Sequence, residues 1–485
     1  MIAVMTPTAL HAHDVVVIGA GPAGVIAALR AARLGARTAL ITRDDFGGMA
    51  ANDGPVPVRT LAHAARLMRE ARQLSDYGIT AAEPSLDYRR LLARVGEVTR
   101  DVRTHSLLRR DLERAGVSIH DQAGTARLLD EHTLESERGP RLQSKTFIIC
   151  TGGTSRRLAV SGFDLTATHS DAWELHCAPS SMLVIGAGAT GVQVASVFNA
   201  FGSRVHLLEV APRILMSEDQ QVSATVDEAL RGLGVEVVAD AGVIERFERS
   251  PAGIRTAYRQ HGTELAIEAE VAVVAIGWVA DTVNLNIASA GVQTDRRGYV
   301  QVDSQFRTTA PHIFAAGDVT GRALVVHEAI REAYVAATNA ATGAEVTLPH
   351  RASPLGSFTD PEYASVGLTE EIARRQHDPI VATIRFDFLP RPIIDGRRIG
   401  FCKLIVDRRT HAILGCHIVG ERAVELAQLA ATAIAAEMTV EELAAVPFSF
   451  PTYADALGRA AIIAAVELDP TGAWAFGHLV ESGVR

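Results

Sequence analysis

Residues 14–42, DVVVIGAGPAGVIAALRAARLGARTALIT, decide the fold. An apolar run at 15–18, a glycine-rich turn, a helical stretch and a second apolar run follow one another, as in a βαβ unit of a parallel sheet. Gly19, Gly21 and Gly24 have the GxGxxG spacing: the first makes the turn, the second admits a pyrophosphate, and the third lets helix pack on strand. The segment therefore predicts a dinucleotide site whose pyrophosphate lies at a helix N-terminus.

The same pattern returns at residues 182–210, MLVIGAGATGVQVASVFNAFGSRVHLLEV, with glycines at Gly186, Gly188 and Gly191. Glu209 closes the second strand of this unit, where a carboxylate accepts hydrogen bonds from ribose hydroxyls and repels a 2′-phosphate. This unit should therefore prefer NADH to NADPH, although Arg213 close by weakens the preference. Thr42 is the equivalent residue of the first unit.

Length and composition limit the remaining possibilities. At roughly 150 residues per domain, 485 residues suggest about three domains. A net charge of −9 and 5% aromatic residues argue against a nucleic-acid surface. Residues 1–13 lack the basic start of a signal peptide, and no apolar run reaches the roughly 20 residues of a membrane span. We therefore expect a cytoplasmic protein without a membrane span.

The chain has four cysteines and no CxxC pair, which fits a reducing compartment and offers no metal motif. Cys402 and Cys416 flank a predicted turn between two strands. A disulfide between them is one interpretation, and two small buried apolar side chains are the preferred one.

Four further segments extend the pattern: FIICTGG (147–153), VAVVAIGWVADTVNL (271–285), GYVQVD (298–303) and HIFAAGDV (312–319). In this order the motifs resemble those of the flavoprotein pyridine-nucleotide disulfide oxidoreductases, which include dihydrolipoamide dehydrogenase, glutathione reductase and mercuric reductase. The resemblance runs from about residue 14 to 468. It implies an α/β fold with two Rossmann-like domains, for FAD and NAD, and a C-terminal α+β interface domain that forms a homodimer.

The resemblance also implies domain limits and cofactor contacts. The FAD domain would be discontinuous, residues 1–155 and 285–349, followed by an NAD domain at 156–284 and an interface domain at 350–485. FAD contacts would come from Gly19, Gly21, Gly24, Thr42, Gly47, Gly48, Gly124, Thr151, Gly152, Gly317 and Asp318. Contacts to NAD would come from Gly186, Gly188, Gly191, Glu209 and Gly277.

The loop at residues 47–59, GGMAANDGPVPVR, departs from the family pattern GGTCxNxGCxPSK. Ala50 and Pro55 stand at the two redox-cysteine positions, with the spacing between them kept. The family's lysine is replaced by Arg59, and the glutamate that pairs with it by Gln193. An ion pair near the flavin thus becomes a guanidinium–amide contact, which leaves more positive charge beside the flavin.

The C-terminal motif HxHPTxxE of the family is FSFPTYAD here, residues 448–455. Phe450 replaces the histidine base and Asp455 replaces the glutamate that orients it. Thiolate, resolving cysteine and general base are therefore all missing. Asn52, Gly54 and Pro57, which lie next to the replaced cysteines, still match the family pattern. We expect an apolar pocket over the flavin, formed by Ala50, Pro55 and Val58, and by Phe450 and Tyr453 from the second subunit.

These residues predict an NADH-dependent flavoenzyme that passes electrons directly to a small acceptor, with quinones the first choice. One alternative is reduction of an activated C=C bond or another electrophile, with Tyr453 or Asp455 as proton donor. Others are an NADH oxidase that makes peroxide and a non-catalytic flavoprotein redox sensor. A role for residues 469–485 is not assigned.

Overall fold

The structure, a computed structural model, describes residues 11–105, 108–349 and 352–470. These residues form two compact units. The first contains the described residues up to Leu61 together with Asp87–Arg156 and Gly277–Pro349. The second contains Ala62–Leu86, Arg157–Ile276 and the described residues from 352 onward.

The described chain contains 22 strands and 14 α-helices. The strands are β1 (His11–Ile18), β2 (Thr38–Ile41), β3 (Ser118–His120), β4 (Ala126–Leu128), β5 (Thr133–Ser136), β6 (Leu142–Ile149), β7 (Gly153–Ser155), β8 (Ala167–Thr168), β9 (Ser181–Ile185), β10 (Arg204–Leu208), β11 (Glu236–Val238), β12 (Val243–Ser250), β13 (Gly253–Gln260), β14 (Thr263–Ala269), β15 (Val271–Val274), β16 (Trp278–Ala280), β17 (Ile313–Ala315), β18 (Leu355–Ser357), β19 (Tyr363–Gly367), β20 (Pro379–Arg385), β21 (Phe401–Asp407) and β22 (Ile413–Val419). The helices are α1 (Pro22–Arg33), α2 (Gly48–Asn52), α3 (Pro55–Arg72), α4 (Tyr88–His105), α5 (Arg109–Arg114), α6 (His169–Trp173), α7 (Ala189–Ala200), α8 (Gln220–Gly232), α9 (Val326–Thr342), α10 (Glu370–Gln376), α11 (Pro390–Ile394), α12 (Ala423–Ala435), α13 (Val440–Ala444) and α14 (Asp455–Leu468).

The first unit is organised by a seven-stranded sheet with the order β3-β2-β1-β6-β5-β4, in which β17 also pairs with β6. Strand β1 runs parallel to β2 and β6, with Val16 opposite Ala39 and Phe147. Residues 15–18 of this strand are apolar and buried, as is typical of a parallel strand that is covered on both faces. Helix α1 starts with Pro22, whose fixed φ suits a first turn, and packs on α9.

The second unit contains a five-stranded parallel sheet, β11-β10-β9-β15-β8, and a three-stranded antiparallel sheet, β12-β13-β14. All five residues of β9 are buried, which again fits a central parallel strand. Leu183 of β9 lies opposite His206 of β10 and Ala272 of β15. A separate antiparallel sheet, β18-β19-β22-β21-β20, carries α12 and α14 over one apolar core.

The predicted α/β class is confirmed, because the mixed sheet of the first unit and the parallel sheet of the second each contain a strand that enters a glycine turn, and an antiparallel sheet with helices follows. The predicted hairpin at 400–420 is present as β21 and β22. Thr439 is the N-cap of α13: its hydroxyl accepts the N–H of Glu442 in a capping box. Cys402 and Cys416 are buried free thiols whose Sγ atoms lie 3.8 Å apart. The three-domain boundaries stay a prediction, and residues 1–10 and 471–485 lie outside the described chain.

Candidate cofactor sites

The first glycine turn brings helix α1 against the end of β1. Gly19 has a φ of +104°, a conformation that residues with a side chain rarely adopt. A Cβ on Gly24 would lie 1.7 Å from the carbonyl oxygen of Gly19, so the helix approaches the strand as closely as a glycine allows. Gly21 precedes α1 in an extended conformation, and its carbonyl accepts the N–H of Val25 at 3.0 Å. The free N–H groups of the first turn of α1 can therefore face a phosphate.

A cavity of about 110 Å³ opens beside this turn, at the carboxyl ends of the strands. Its lining includes Thr42, Gly124 and Thr151, three of the residues expected to contact FAD. The Thr151 hydroxyl is buried and has no hydrogen-bond partner within the described chain. These residues suit one part of a dinucleotide, since the cavity is polar at specific points and continuous with the anion-binding turn at Gly19.

Sequence reasoning missed one contact at this cavity. Arg43, directly after Thr42, places Nη1 3.1 Å from a carboxylate oxygen of Asp281, so two distant segments meet at the rim. The backbone N–H of Asp281 also donates to the carbonyl of Gly152 at 3.0 Å. An arginine after the second strand and an aspartate in the 271–285 segment were visible in the sequence, but their pairing depends on the fold.

The loop that departs from the family pattern packs directly on the glycine turn. The N–H of Gly47 donates to the carbonyl of Ala20 at 2.9 Å, and a Cβ on Gly48 would lie 2.6 Å from the Cα of Gly21. The short helix α2 follows and ends where Gly54 donates to the carbonyl of Met49 at 2.7 Å. The loop is therefore held in one conformation by its backbone.

No sulfur nucleophile occurs in this loop, since the first cysteine of the chain is Cys150. Ala50 and Val58 are half-buried, whereas Pro55 and Arg59 are exposed. Burial raises the pKa of the Cys150 thiol far above its usual value, which keeps this thiol protonated and unreactive.

Gly317 and Asp318 form the turn after β17. Gly317 has a φ of +79°, and a Cβ there would lie 3.1 Å and 3.3 Å from the Cβ atoms of Ala23 and Ala329. The turn is thus packed between α1 and α9, the two helices next to the first glycine turn. Burial raises the pKa of the Asp318 carboxyl. This arrangement joins the Gly-Asp motif to the first dinucleotide site.

The second glycine turn repeats the geometry of the first. Gly186 has a φ of +96°, and a Cβ on Gly191 would lie 1.8 Å from the Gly186 carbonyl oxygen. Gly188 precedes α7 as Gly21 precedes α1. Glu209 is tied to this turn: its carboxylate accepts the N–H of Ala187 at 2.7 Å and that of Ala211 at 2.9 Å. The carboxylate is therefore fixed beside the turn, where a ribose is expected.

Arg213 does not face this carboxylate as a free cation. Its guanidinium donates to the carbonyl oxygens of Leu215 at 2.9 Å, Met216 at 3.1 Å and Glu218 at 3.0 Å. An arginine has five N–H donors, and these contacts use both terminal nitrogens. These contacts fix the guanidinium and leave its positive charge in place, so the effect of Arg213 on the preference for NADH stays a prediction.

The remaining predicted residues are dispersed over the described chain. Gln193 donates to the carbonyl of Ala189 at 3.0 Å and accepts the N–H of Phe358 at 3.4 Å. Gln193 belongs to the second unit and Arg59 to the first, so their contact stays a prediction. Gly277 has a φ of +98° and begins a segment of the first unit, and its role toward NAD also stays a prediction.

The C-terminal residues differ sharply in exposure. Phe450 is 67% exposed, whereas Tyr453 is 7% exposed and packs against Phe386. The Tyr453 hydroxyl donates to Asp395 at 3.0 Å, and burial raises its pKa well above the usual value. Asp455 accepts a hydrogen bond from Arg459 at 2.8 Å. The chain therefore presents Phe450 to the solvent and holds the tyrosine hydroxyl inside its core.

Comparison with known proteins defines the class. The family model of the pyridine nucleotide-disulphide oxidoreductases matches residues 13–340, and the model of their dimerisation domain matches residues 353–461. The chain belongs to this family. It is accordingly an NAD(P)H-dependent flavoprotein oxidoreductase that uses FAD.

Individual relatives carry different names. The chain is 32% identical to the dihydrolipoyl dehydrogenase of Zymomonas mobilis, over 93% of this chain and 97% of that protein. It is 30% identical to the mercuric reductase of Lysinibacillus sphaericus, over 93% and 82% of the two chains. The structure resembles that of the HOCl-induced flavoprotein disulfide reductase RclA from Escherichia coli in its Cu(II) complex, with a TM-score of 0.83, 26% identity and coverage of 94% and 100%.

The described part of the chain lacks two further features. None of its helices combines the length and apolarity needed to cross a membrane. Within the same residues, no group of three or more His, Cys, Asp and Glu side chains is placed to hold a metal ion.

Gly24→Ala tests the first cofactor site. The new methyl group would overlap the Gly19 carbonyl, so the turn must move away from the pyrophosphate position. We expect the parent protein to purify with about one FAD per chain and the variant with less than about a tenth of that. The absorbance of the flavin released from each purified protein measures its FAD content per chain.

Gly96→Ala is the matched control, because this glycine lies within α4 and a Cβ would meet only an arginine side chain at 3.5 Å. The helix gains roughly 1 kcal/mol from such a change. Equal flavin content in Gly24→Ala and Gly96→Ala would contradict the assignment of this turn.

Proposed function

We propose that this chain is an NADH oxidoreductase that passes electrons from FAD directly to a small acceptor such as a quinone, without a redox-active disulfide. The observation that carries the proposal is the absence of cysteine from residues 47–59, in a loop that is otherwise folded tightly on the glycine turn. FAD carries out hydride and single-electron transfer itself, so a sulfur relay is not required for reduction of every acceptor.

The loop has apolar side chains at the two positions where the family pattern has cysteines. Ala50 and Pro55 have no polar side-chain atom, and Val58 follows on the first turn of α3. Apolar walls with few polar groups suit a flat, neutral electrophile. We further propose that the protein is a homodimer in which the exposed Phe450 of a second copy completes this surface, consistent with its dimerisation domain.

Proton donors are scarce among the C-terminal residues. The Tyr453 hydroxyl is buried and bound to Asp395, and Asp455 is paired with Arg459. Reduction of an activated C=C bond needs an acid positioned at the substrate, whereas a quinone is reduced readily with protons taken from water. These contacts therefore favour a quinone-like acceptor over an activated alkene.

The domain assignment is also a proposal: FAD on residues 1–155 and 285–349, NADH on 156–284, and the interface on 350–485. It is supported by the cavity beside Gly19 and by the fixed carboxylate of Glu209.

The acceptor is tested by turnover with NADH and a panel of substrates. We expect benzoquinones and naphthoquinones to be reduced, while lipoamide and glutathione disulfide remain poor substrates because each needs a nucleophilic thiolate. Treatment with iodoacetamide should leave quinone turnover nearly unchanged. Loss of most activity on alkylation would contradict the proposal, and failure of NADH to reduce the flavin would favour a sensor.

The double substitution Ala50→Cys with Pro55→Cys provides a stricter test of the same loop. It restores two thiols but not the base, because Phe450 cannot accept a proton. We expect no disulfide reductase activity from this variant. Strong lipoamide reduction would show that the C-terminal motif is dispensable.

The nicotinamide cofactor is tested by flavin reduction rates with NADH and NADPH. Like charges ~4 Å apart cost on the order of 4 kcal/mol at an effective dielectric of 20, before screening, so Glu209 should disfavour the 2′-phosphate. We expect NADH to be preferred and the preference to fall at least about tenfold in Glu209→Ala. Glu236→Ala removes a nearby exposed carboxylate on β11 and should leave the ratio unchanged. Equal rates in the parent protein would refute the preference.

A further inference from the structure

A buried carboxylate lies beneath the Gly-Asp turn of the FAD site. Glu332, on α9, has a side chain only 4% exposed. Its Oε2 accepts the backbone N–H of Gly317 at 2.9 Å. Since Gly317 has a positive φ and no room for a side chain, this hydrogen bond helps hold the turn that presents Asp318.

The groups that face Glu332 come from three segments. Arg322 places Nε 3.6 Å from Oε1, but its side chain is 46% exposed and its guanidinium lies over the Phe306 ring. Glu328, one turn earlier on α9, is paired with Arg331 at 2.6 Å, and both it and Asp318 repel the Glu332 charge. The thiol of Cys150 is the fourth neighbour. The ion pair with Arg322 is long and half-exposed and Arg331 is engaged by Glu328, so the stabilisation of the Glu332 charge by Arg322 is smaller than the cost of its burial.

Burial raises the pKa of Glu332 to about 7, and repulsion from Glu328 and Asp318 acts in the same direction. The carboxyl therefore changes its charge near neutral pH. Both the ionised and the protonated form of Glu332 retain an oxygen that can accept the Gly317 N–H. The conformation of the Gly-Asp turn therefore does not depend on the charge of Glu332.

We propose that Glu332 is a positioning residue of the FAD site that takes up a proton when FAD binds. The proposal rests on the use of FAD by this family and is independent of the identity of the acceptor. The carboxyl would supply the hydrogen-bond acceptor for Gly317 in both states, and its neutral form would face the bound cofactor.

Two physical effects favour protonation on binding. FAD brings a doubly negative pyrophosphate to the turn at Gly19, and the Gly19 backbone packs directly on Cys150, the neighbour of Glu332. Bound FAD also excludes water from this region, which disfavours a second charge. The proton comes from the solvent, and no bond other than the O–H bond is formed.

The sign of the pH dependence follows from this linkage. The pKa of Glu332 should be higher in the complex than in the free protein, where it is about 7. FAD affinity is then greatest below the free-protein pKa and falls as the pH rises through the pKa of the complex. The steepest loss expected is about tenfold per pH unit.

The test measures FAD binding to the full-length protein by calorimetry between pH 6.5 and 8.5. Repeating each titration in buffers of different ionisation enthalpy gives the number of protons taken up on binding. Proton uptake should be measurable in the parent protein at pH 7.5. Glu332→Gln keeps an oxygen for Gly317 but cannot ionise, so it should bind FAD at least as tightly at pH 8 without proton uptake. Glu332→Ala loses the acceptor and should bind about tenfold more weakly at every pH.

Glu345→Gln removes an exposed carboxylate of the same unit and should behave as the parent protein does. Proton uptake that persists in Glu332→Gln would overturn the proposal. Equal weakening of FAD binding in Glu332→Gln and Glu332→Ala would also overturn it. If either variant fails to fold, the measurement on the parent protein alone still tests the proposal. FAD binding without proton uptake across this pH range would overturn the proposal.

Discussion

The structure depends on how closely a helix can approach the strand that precedes it. At both glycine turns a single added methyl group would lie within 1.8 Å of a carbonyl oxygen, at Gly24 in the first unit and at Gly191 in the second. This contact brings the N-terminus of each helix to the strand end, where its N–H groups can bind a pyrophosphate. The flavin-side loop and the Gly-Asp turn then pack on the first of these helices, through Gly48 and Gly317.

The same packing explains how the loop can lose its cysteines and keep its shape. Its conformation is held by backbone contacts from Gly47 and Gly54, and none of these contacts involves a thiol. Ala50 and Pro55 therefore change the chemistry of the loop with little effect on its backbone. The proposed direct transfer of electrons from the flavin to a small acceptor rests on this difference in side-chain chemistry.

The features that the sequence predicted well are local. Both glycine turns and the hairpin of β21 and β22 depend on residues that lie close together in the sequence. The β-branched and apolar runs in β1 and β9 likewise predict buried parallel strands directly.

The features that sequence reasoning missed join distant residues. The hydroxyl of Tyr453 bonds to Asp395, 58 positions earlier, which no sequence pattern indicates; its place in a pocket over the flavin stays a prediction. Arg213 was considered only for its position near Glu209, and the backbone carbonyls that hold its guanidinium are oriented by the fold. The role of Glu332 depends on burial beneath a turn, and a glutamate on a helix gives no sign of that.

Anaerobic titration with dithionite tests the central claim most directly, because it counts the electrons that the protein can hold. With no redox-active disulfide, full reduction should take about two electrons per FAD, and NADH should produce no long-wavelength thiolate–flavin band. Cys402→Ala with Cys416→Ala is the control, since these two buried thiols are the closest sulfur pair that the described chain offers. An uptake of about four electrons per FAD, in both the parent protein and this variant, would show a second redox pair and contradict the account of the loop.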